Sequence, residues 1–236
     1  MSQNLSAKTY FKLFERKFLS AQNAVNAAAM KAYMRDRYEF YGIKAPLRRE
    51  LMKEIIQENG LLTGQRLKDF VHLCWQAPQR EWQLLGVDKI EKAQRFLDDS
   101  FLDLIIWCVQ HRSWWDTVDL LAIKSAGKLL LKYPDLERSQ PDSWIQSDNM
   151  WMQRTAILYQ LKYKERTDVK RLQRYLLHVM DSKEFFLQKA SGWALRELSK
   201  TQPQVVLSFI DEYEQQLSNL TKREAVKWMD RRNARP

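Results

Sequence analysis

In the segment Ser113-Trp-Trp-Asp-Thr-Val-Asp119, Trp115 and Asp119 stand four residues apart, so on a helix the indole and the carboxylate point the same way. Ser113 followed three residues later by Asp116 forms a variant capping box, which gives Asp116 a structural task at the helix start. Asp119 lies one turn further in, where capping no longer explains it. A lone aspartate on a helix is ordinarily just exposed. Beside an indole on a cationic surface, it is a candidate for stabilising positive charge in a bound substrate. A second constellation, Lys189, Trp193, Arg196 and Lys200, falls at i, i+4, i+7 and i+11 of one helix face. A core stripe would not carry three cations. The pattern fits a solvated face with Trp193 tucked under a lysine stem. It equally fits a surface that meets phosphates with its cations and a sugar or base with its indole, and the stripe alone leaves both readings open.

Helices must position these groups, because the periodicity is helical nearly throughout. Met152, Ala156, Tyr159 and Tyr163 form one apolar stripe, and Leu187, Ser191, Ala194 and Leu198 repeat its spacing with small residues where a neighbour could approach closely. Breakers separate such segments. Pro46 opens a helix after a turn at 42–45, and Asn59-Gly60 caps a helix over 51–58 rather than closing a hairpin, since its flanks do not alternate. Pro78, Pro134, Pro141 and Pro203 mark further boundaries. The fold expected is all-α, with about a dozen helices of ordinary length. An internal repeat runs through it. Asp148-Asn-Met-Trp-Met-Gln-Arg154-Thr-Ala resembles Lys183-Glu-Phe-Phe-Leu-Gln-Lys189-Ala-Ser, 35 residues on, and the same step back reaches Ser113–Asp119. Asp119, Arg154 and Lys189 thereby occupy equivalent positions, and a weaker echo lies at Arg80-Glu-Trp-Gln-Leu-Leu. Two helices per unit of this length indicate a HEAT-like solenoid, a single domain over 1–236 whose concave face would carry the three charges.

Composition narrows the partner. Lys plus Arg total 39 against 29 Asp plus Glu, a net charge of +10 that suits a polyanion, nucleic acid before an anionic membrane. Cys74 and Cys108 lie in apolar helical stretches without metal-ligand spacing, and read as buried thiols of a reducing cytoplasm. His72, His111 and His178 show no ligand spacing either, so neither metal nor cofactor is expected. The amino-terminal residues lack an apolar signal core and no apolar run is long enough to span a bilayer, so a cytoplasmic location is expected.

The motifs SWWDTVD at 113–119, SDNMWMQRTAILYQLKYK at 147–164, SKEFFLQKASGWALRE at 182–197 and TKREAVK at 221–227 resemble the AlkD family of bacterial DNA glycosylases. Tyr33-Met-Arg-Asp-Arg-Tyr-Glu-Phe-Tyr-Gly-Ile and Pro46-Leu-Arg-Arg fit as well, so the resemblance runs from about residue 25 to 230. It implies a HEAT-like solenoid that excises N3- and N7-alkylated purines from duplex DNA. It implies Asp119 as the catalytic carboxylate, with Trp115 and Trp193 embracing the deoxyribose. It implies Arg154 near the phosphate backbone of the lesion, and Arg196 and Tyr33 as further DNA contacts. Lys189 and Lys200 join the DNA-binding set from the helical stripe, and Trp114 from its place in the motif. The resemblance also implies that the lesion stays stacked in the duplex rather than being flipped out.

The chemistry is self-consistent. Alkylation at N3 or N7 makes the purine a cationic leaving group, so one carboxylate without a general acid suffices. Positive charge then moves to the sugar, as in glycoside hydrolysis. Asp119 would stabilise it and orient water, and Trp115 and Trp193 would add about 0.5–2 kcal/mol each by cation–π attraction. The competing reading is a non-catalytic HEAT-like module that binds DNA or an acidic protein through the same surface. Asp119 separates the two, because a pure polyanion binder gains nothing from a carboxylate among its cations. No oligomerisation surface stands out, and a monomer is expected.

Overall fold

The computed structural model describes residues 5–233. Among them all regular structure is helical apart from one isolated bridge between Glu39 and Gln79, so the protein is all-α. No described helix is long and apolar enough to cross a membrane. The chain divides into two compact units, Met1–Leu104 and Ile105–Pro236.

The first unit comprises α1 (Ala7–Ser20), α2 (Ala24–Tyr33), α3 (Ala45–Asn59), α4 (Gly64–Gln76) and α5 (Arg80–Lys92). Ala7, Tyr10, Phe14 and Phe18 of α1 recur at helical spacing and are buried, with Phe18 against Trp82 of α5 and Phe14 against Phe70 of α4. Pro46 stands in the first turn of α3 and Gly60 caps its end at φ 81°, as the sequence indicates. Ahead of α3, the buried Glu81 carboxylate accepts the backbone N–H groups of Tyr41, Gly42 and Ile43. Gly42 is required there, since its φ is 87° and a Cβ would lie 2.0 Å from Asn23 O.

Lys89 of α5 is fully buried and donates to the Tyr10 hydroxyl at 3.1 Å, which donates in turn to Gly60 O. Burial pulls the Lys89 ammonium down to about 7. The unfolded chain therefore holds this proton more tightly than the folded one. Stability should rise by up to a few kcal/mol from about pH 7 to about pH 10, and be lost as pH falls through the folded value. Urea unfolding across that range should show the slope for wild type and a flattened one for Lys89→Met.

The second unit follows a division that falls within α6 (Phe101–Gln110). It continues through α7 (Trp115–Leu120), a π-helical stretch (Leu121–Ala126), α8 (Gly127–Lys132), α9 (Pro134–Ile145) and α10 (Met150–Leu158). Then come α11 (Val169–His178), α12 (Phe185–Leu198), α13 (Pro203–Glu212) and α14 (Asn219–Asn233). Both expected apolar stripes are buried throughout. Close packing follows from the small residues: a Cβ at Gly192 of α12 would lie 2.5 Å from Glu224 Cβ and 2.7 Å from Thr221 O.

Pro78, Pro134 and Pro203 mark boundaries, but Pro141 does not; it sits inside α9. A mid-helix proline normally orphans the carbonyl four residues earlier. Here that carbonyl is Glu137 O, and the guanidinium of Arg171 donates to it at 2.8 Å. With the orphan satisfied and Pro141, Trp144 and Ile145 buried, the helix continues.

The repeat is written in the helix starts. α3, α5, α7, α10, α12 and α14 begin at 45, 80, 115, 150, 185 and 219, intervals of 35, 35, 35, 35 and 34 residues. Side chains carry the same offset, with ion pairs Asp119–Arg154, Lys162–Glu197 and Lys189–Glu224 each spanning 35 residues. A helical repeat of this length is thus established in the chain, and the faint echo at Arg80 is one of its helix starts.

Candidate functional site

The chain enters α7 with Trp114 extended at φ −158° as the N-cap, not Ser113. The Ser113 hydroxyl donates to Val109 O at 2.5 Å. Asp116 still occupies the first turn, where the helix dipole favours it. Asp119 follows in the last turn before the π-helical stretch, a local widening that recurs at functional sites.

α10 packs on α7 and brings Arg154 to Asp119. Arg154 Nε donates to Asp119 Oδ1 at 2.7 Å and Nη2 to Oδ2 at 2.8 Å, a bidentate pair, while Nη1 donates to Phe186 O. The Arg154 side chain is 4% exposed and that of Asp119 14%. Burial pushes the Asp119 carboxyl above its ordinary value, opposed by the hydrogen bond and charge of Arg154. Each carboxylate oxygen gives one lone pair to Arg154 and keeps another. The group is therefore held rigidly in a poorly hydrated setting, with a small exposed face from which to act on a neighbouring positive charge or a water molecule. Trp115, one turn before it on α7, is half-buried.

Trp114 requires a correction. Its ring is buried against Trp151 at 5.6 Å and edge-on to Phe186 at 5.0 Å between centroids. It packs α7 against α10 and α12 and presents no surface for a DNA contact. Adjacent tryptophans on a helix point to different sides, and here the first takes the core while the second takes the surface.

Lys189, Trp193 and Arg196 of the stripe lie on α12, whereas Lys200 falls beyond the helix end at Leu198, and the cations are engaged. Lys189 Nζ lies 2.7 Å from Glu224 Oε1 and Arg196 Nη1 2.9 Å from Glu224 Oε2, so α14 supplies a carboxylate between them. Lys200 belongs to a different group, pairing with Glu197, which also takes Lys162. Trp193 is half-buried between Lys189 and Arg196 in sequence. Of the three charges at equivalent repeat positions, Asp119 and Arg154 meet, and Lys189 turns to Glu224. Tyr33 closes α2 in the first unit and is 73% exposed. Sequence reasoning missed Glu224 and Lys227, though Glu224 stands one period beyond Lys189 and the period could have indicated it.

The family model described as DNA alkylation repair enzyme matches residues 14–229, spanning both units. Among solved structures, a "Predicted DNA alkylation repair enzyme from Enterococcus faecalis" is 31% identical, with a TM-score of 0.80 over 91% of this chain and 98% of that chain. A comparison with curated proteins found no match.

Proposed function

The chain belongs to the DNA alkylation repair enzyme family, and from that premise we propose that it is a DNA glycosylase of HEAT-like construction, hydrolysing the N-glycosidic bond of N3- and N7-alkylated purines in duplex DNA. The observation that carries this reading is the Asp119 carboxylate, nearly buried and clamped on both oxygens by Arg154. A surface that only attracts phosphates is weakened by such a group. A site that must stabilise a sugar cation depends on it, because charge stabilisation is strongest where the group is preorganised and water is scarce.

In this reading the alkylated base departs as a neutral purine without a general acid, since alkylation has already made it cationic. Asp119 stabilises the oxocarbenium-like sugar and orients the attacking water, as carboxylates do in glycoside hydrolysis. Trp115 and Trp193 flank the deoxyribose with their π faces. Arg154 holds Asp119 in place and lies close to the backbone of the lesion, while Arg196, Lys189, Lys200 and Tyr33 contact DNA. Recognition then rests on leaving-group charge, and the base need not leave the stack.

The test is base release from a duplex carrying one 7-methylguanine, with enzyme in excess. Release well above the spontaneous rate is expected, and a duplex carrying the neutral lesion ethenoadenine should be a poor substrate. Salt-sensitive DNA binding with no release would remove the glycosylase reading. Efficient release of ethenoadenine would remove the dependence on leaving-group charge.

A further inference from the structure

Glu224 of α14 is buried, its side chain 2% exposed, yet three cations converge on it. Lys189 and Lys227 reach Oε1 and Arg196 reaches Oε2. Burial alone would raise this carboxyl, but the hydrogen bonds and charges of Lys189 and Lys227 bring it down to about 2, so it is anionic throughout the neutral range. The group of four carries a net charge of +2, three cations less one carboxylate. The cations are not used up by the pairing. Each ammonium has three donors and the guanidinium five, and their side chains stay between 27% and 39% exposed above the buried carboxylate.

We infer that Glu224 is a positioning residue that orders Lys189, Arg196 and Lys227 into a cradle for backbone phosphodiesters, with Lys227 as a further phosphate ligand. The inference rests on the proposed reading that α12 meets DNA. Three cations gathered at one place, two from α12 and one from α14, repel one another and, unheld, sample many rotamers. A carboxylate beneath them sacrifices one unit of attraction and fixes their heads in one arrangement. The backbone is built to seat it there. Gly192 lets α14 approach α12 until Glu224 lies under the stripe, and Thr221 Oγ1 donates to Gln188 O at 3.1 Å across the same contact. Trp193, between Lys189 and Arg196 on α12, places an indole on the helix that carries two of the cradle's cations.

Glu224→Gln separates positioning from plain electrostatics, because the two demand opposite signs. Removing a negative charge raises the local net charge to +3, so a purely electrostatic surface would bind duplex DNA more tightly and with a steeper salt dependence. The cradle instead should lose about 5–10-fold in affinity for an undamaged duplex, with the salt slope shallower by about one phosphate contact. Tighter or unchanged binding overturns the inference. So does a fall in melting temperature with an unaltered salt slope, which marks a role confined to holding α14 on α12. Lys227→Gln, at a partly exposed position, provides the test if the first variant does not fold. It should weaken binding about 3–10-fold and reduce the slope by about one, and wild-type behaviour would overturn the assignment. Failure of the wild-type protein to bind duplex DNA would instead remove the underlying reading of the stripe.

Discussion

Asp119→Asn should reduce single-turnover release of 7-methylguanine by about 10²–10³-fold while duplex affinity holds or improves. Asparagine keeps the shape of the side chain and removes the charge, so the loss reports stabilisation of the sugar cation rather than packing. DNA gains from the loss of an anion near its phosphates, so binding and catalysis should move in opposite directions. The pH profile supplies a second check. Burial raises the Asp119 carboxyl, so protonation sets in at a higher pH than for an ordinary aspartate near 3.9. Release by wild type, corrected for spontaneous depurination, should fall as pH drops through that raised value, and the variant should lack this limb. A melting temperature measured alongside separates a catalytic loss from a folding one. Wild-type rates in the variant would leave Asp119 as a structural partner of Arg154.

Gly127→Ala should destabilise the protein by about 2–3 kcal/mol and lower its melting temperature by roughly 5–10 °C. In an ordinary helix the same change stabilises by about 0.5–1 kcal/mol, so the sign itself is diagnostic. Gly127 opens α8, directly after the π-helical stretch, and a Cβ there would lie 2.2 Å from Tyr159 O. That oxygen is backbone and cannot swing aside. The Tyr163 hydroxyl also donates to Gly127 O at 2.7 Å, pinning the contact from the other direction. Relief requires α8 and the chain around Tyr159 to separate. Asp119 is on the same continuous run as Gly127, and Arg154 is on α10 just before Tyr159. Base release should therefore fall with stability. A stabilised variant would show that the close approach is not made.

The helices themselves were legible in the chain. Apolar spacing at Met152–Tyr163 and Leu187–Leu198, the Gly60 cap and the prolines at 46, 134 and 203 act within a few residues, and local sequence is enough to express them. The repeat was legible in part, through Asp119, Arg154 and Lys189, because equivalent helices in a stack share an environment and hence a pattern. Its full extent, from α3 to α14, emerged only from the helix starts. The flanking helices have different charges and aromatics, so little but their phase survives in the sequence. Asp119 could be singled out by its position beyond the helix cap and its spacing from Trp115.

What each charge meets was decided by tertiary structure. Equivalent positions one period apart are neighbours across a helix–helix contact, so Arg154 closes on Asp119 and Glu224 on Lys189. Linear spacing along one helix does not reveal this. Trp114 and Trp115 look alike in sequence, and only the packing of α10 and α12 sends one ring into the core. Pro141 reads as a breaker until Arg171, thirty residues away, satisfies the carbonyl it orphans. Periodicity and capping depend on the nearest few residues, whereas the partner of a buried charge depends on which helices pack together. Local residue order therefore suffices to place the helices and to single out the carboxylate, while the packing of distant helices sets the electrostatics around it.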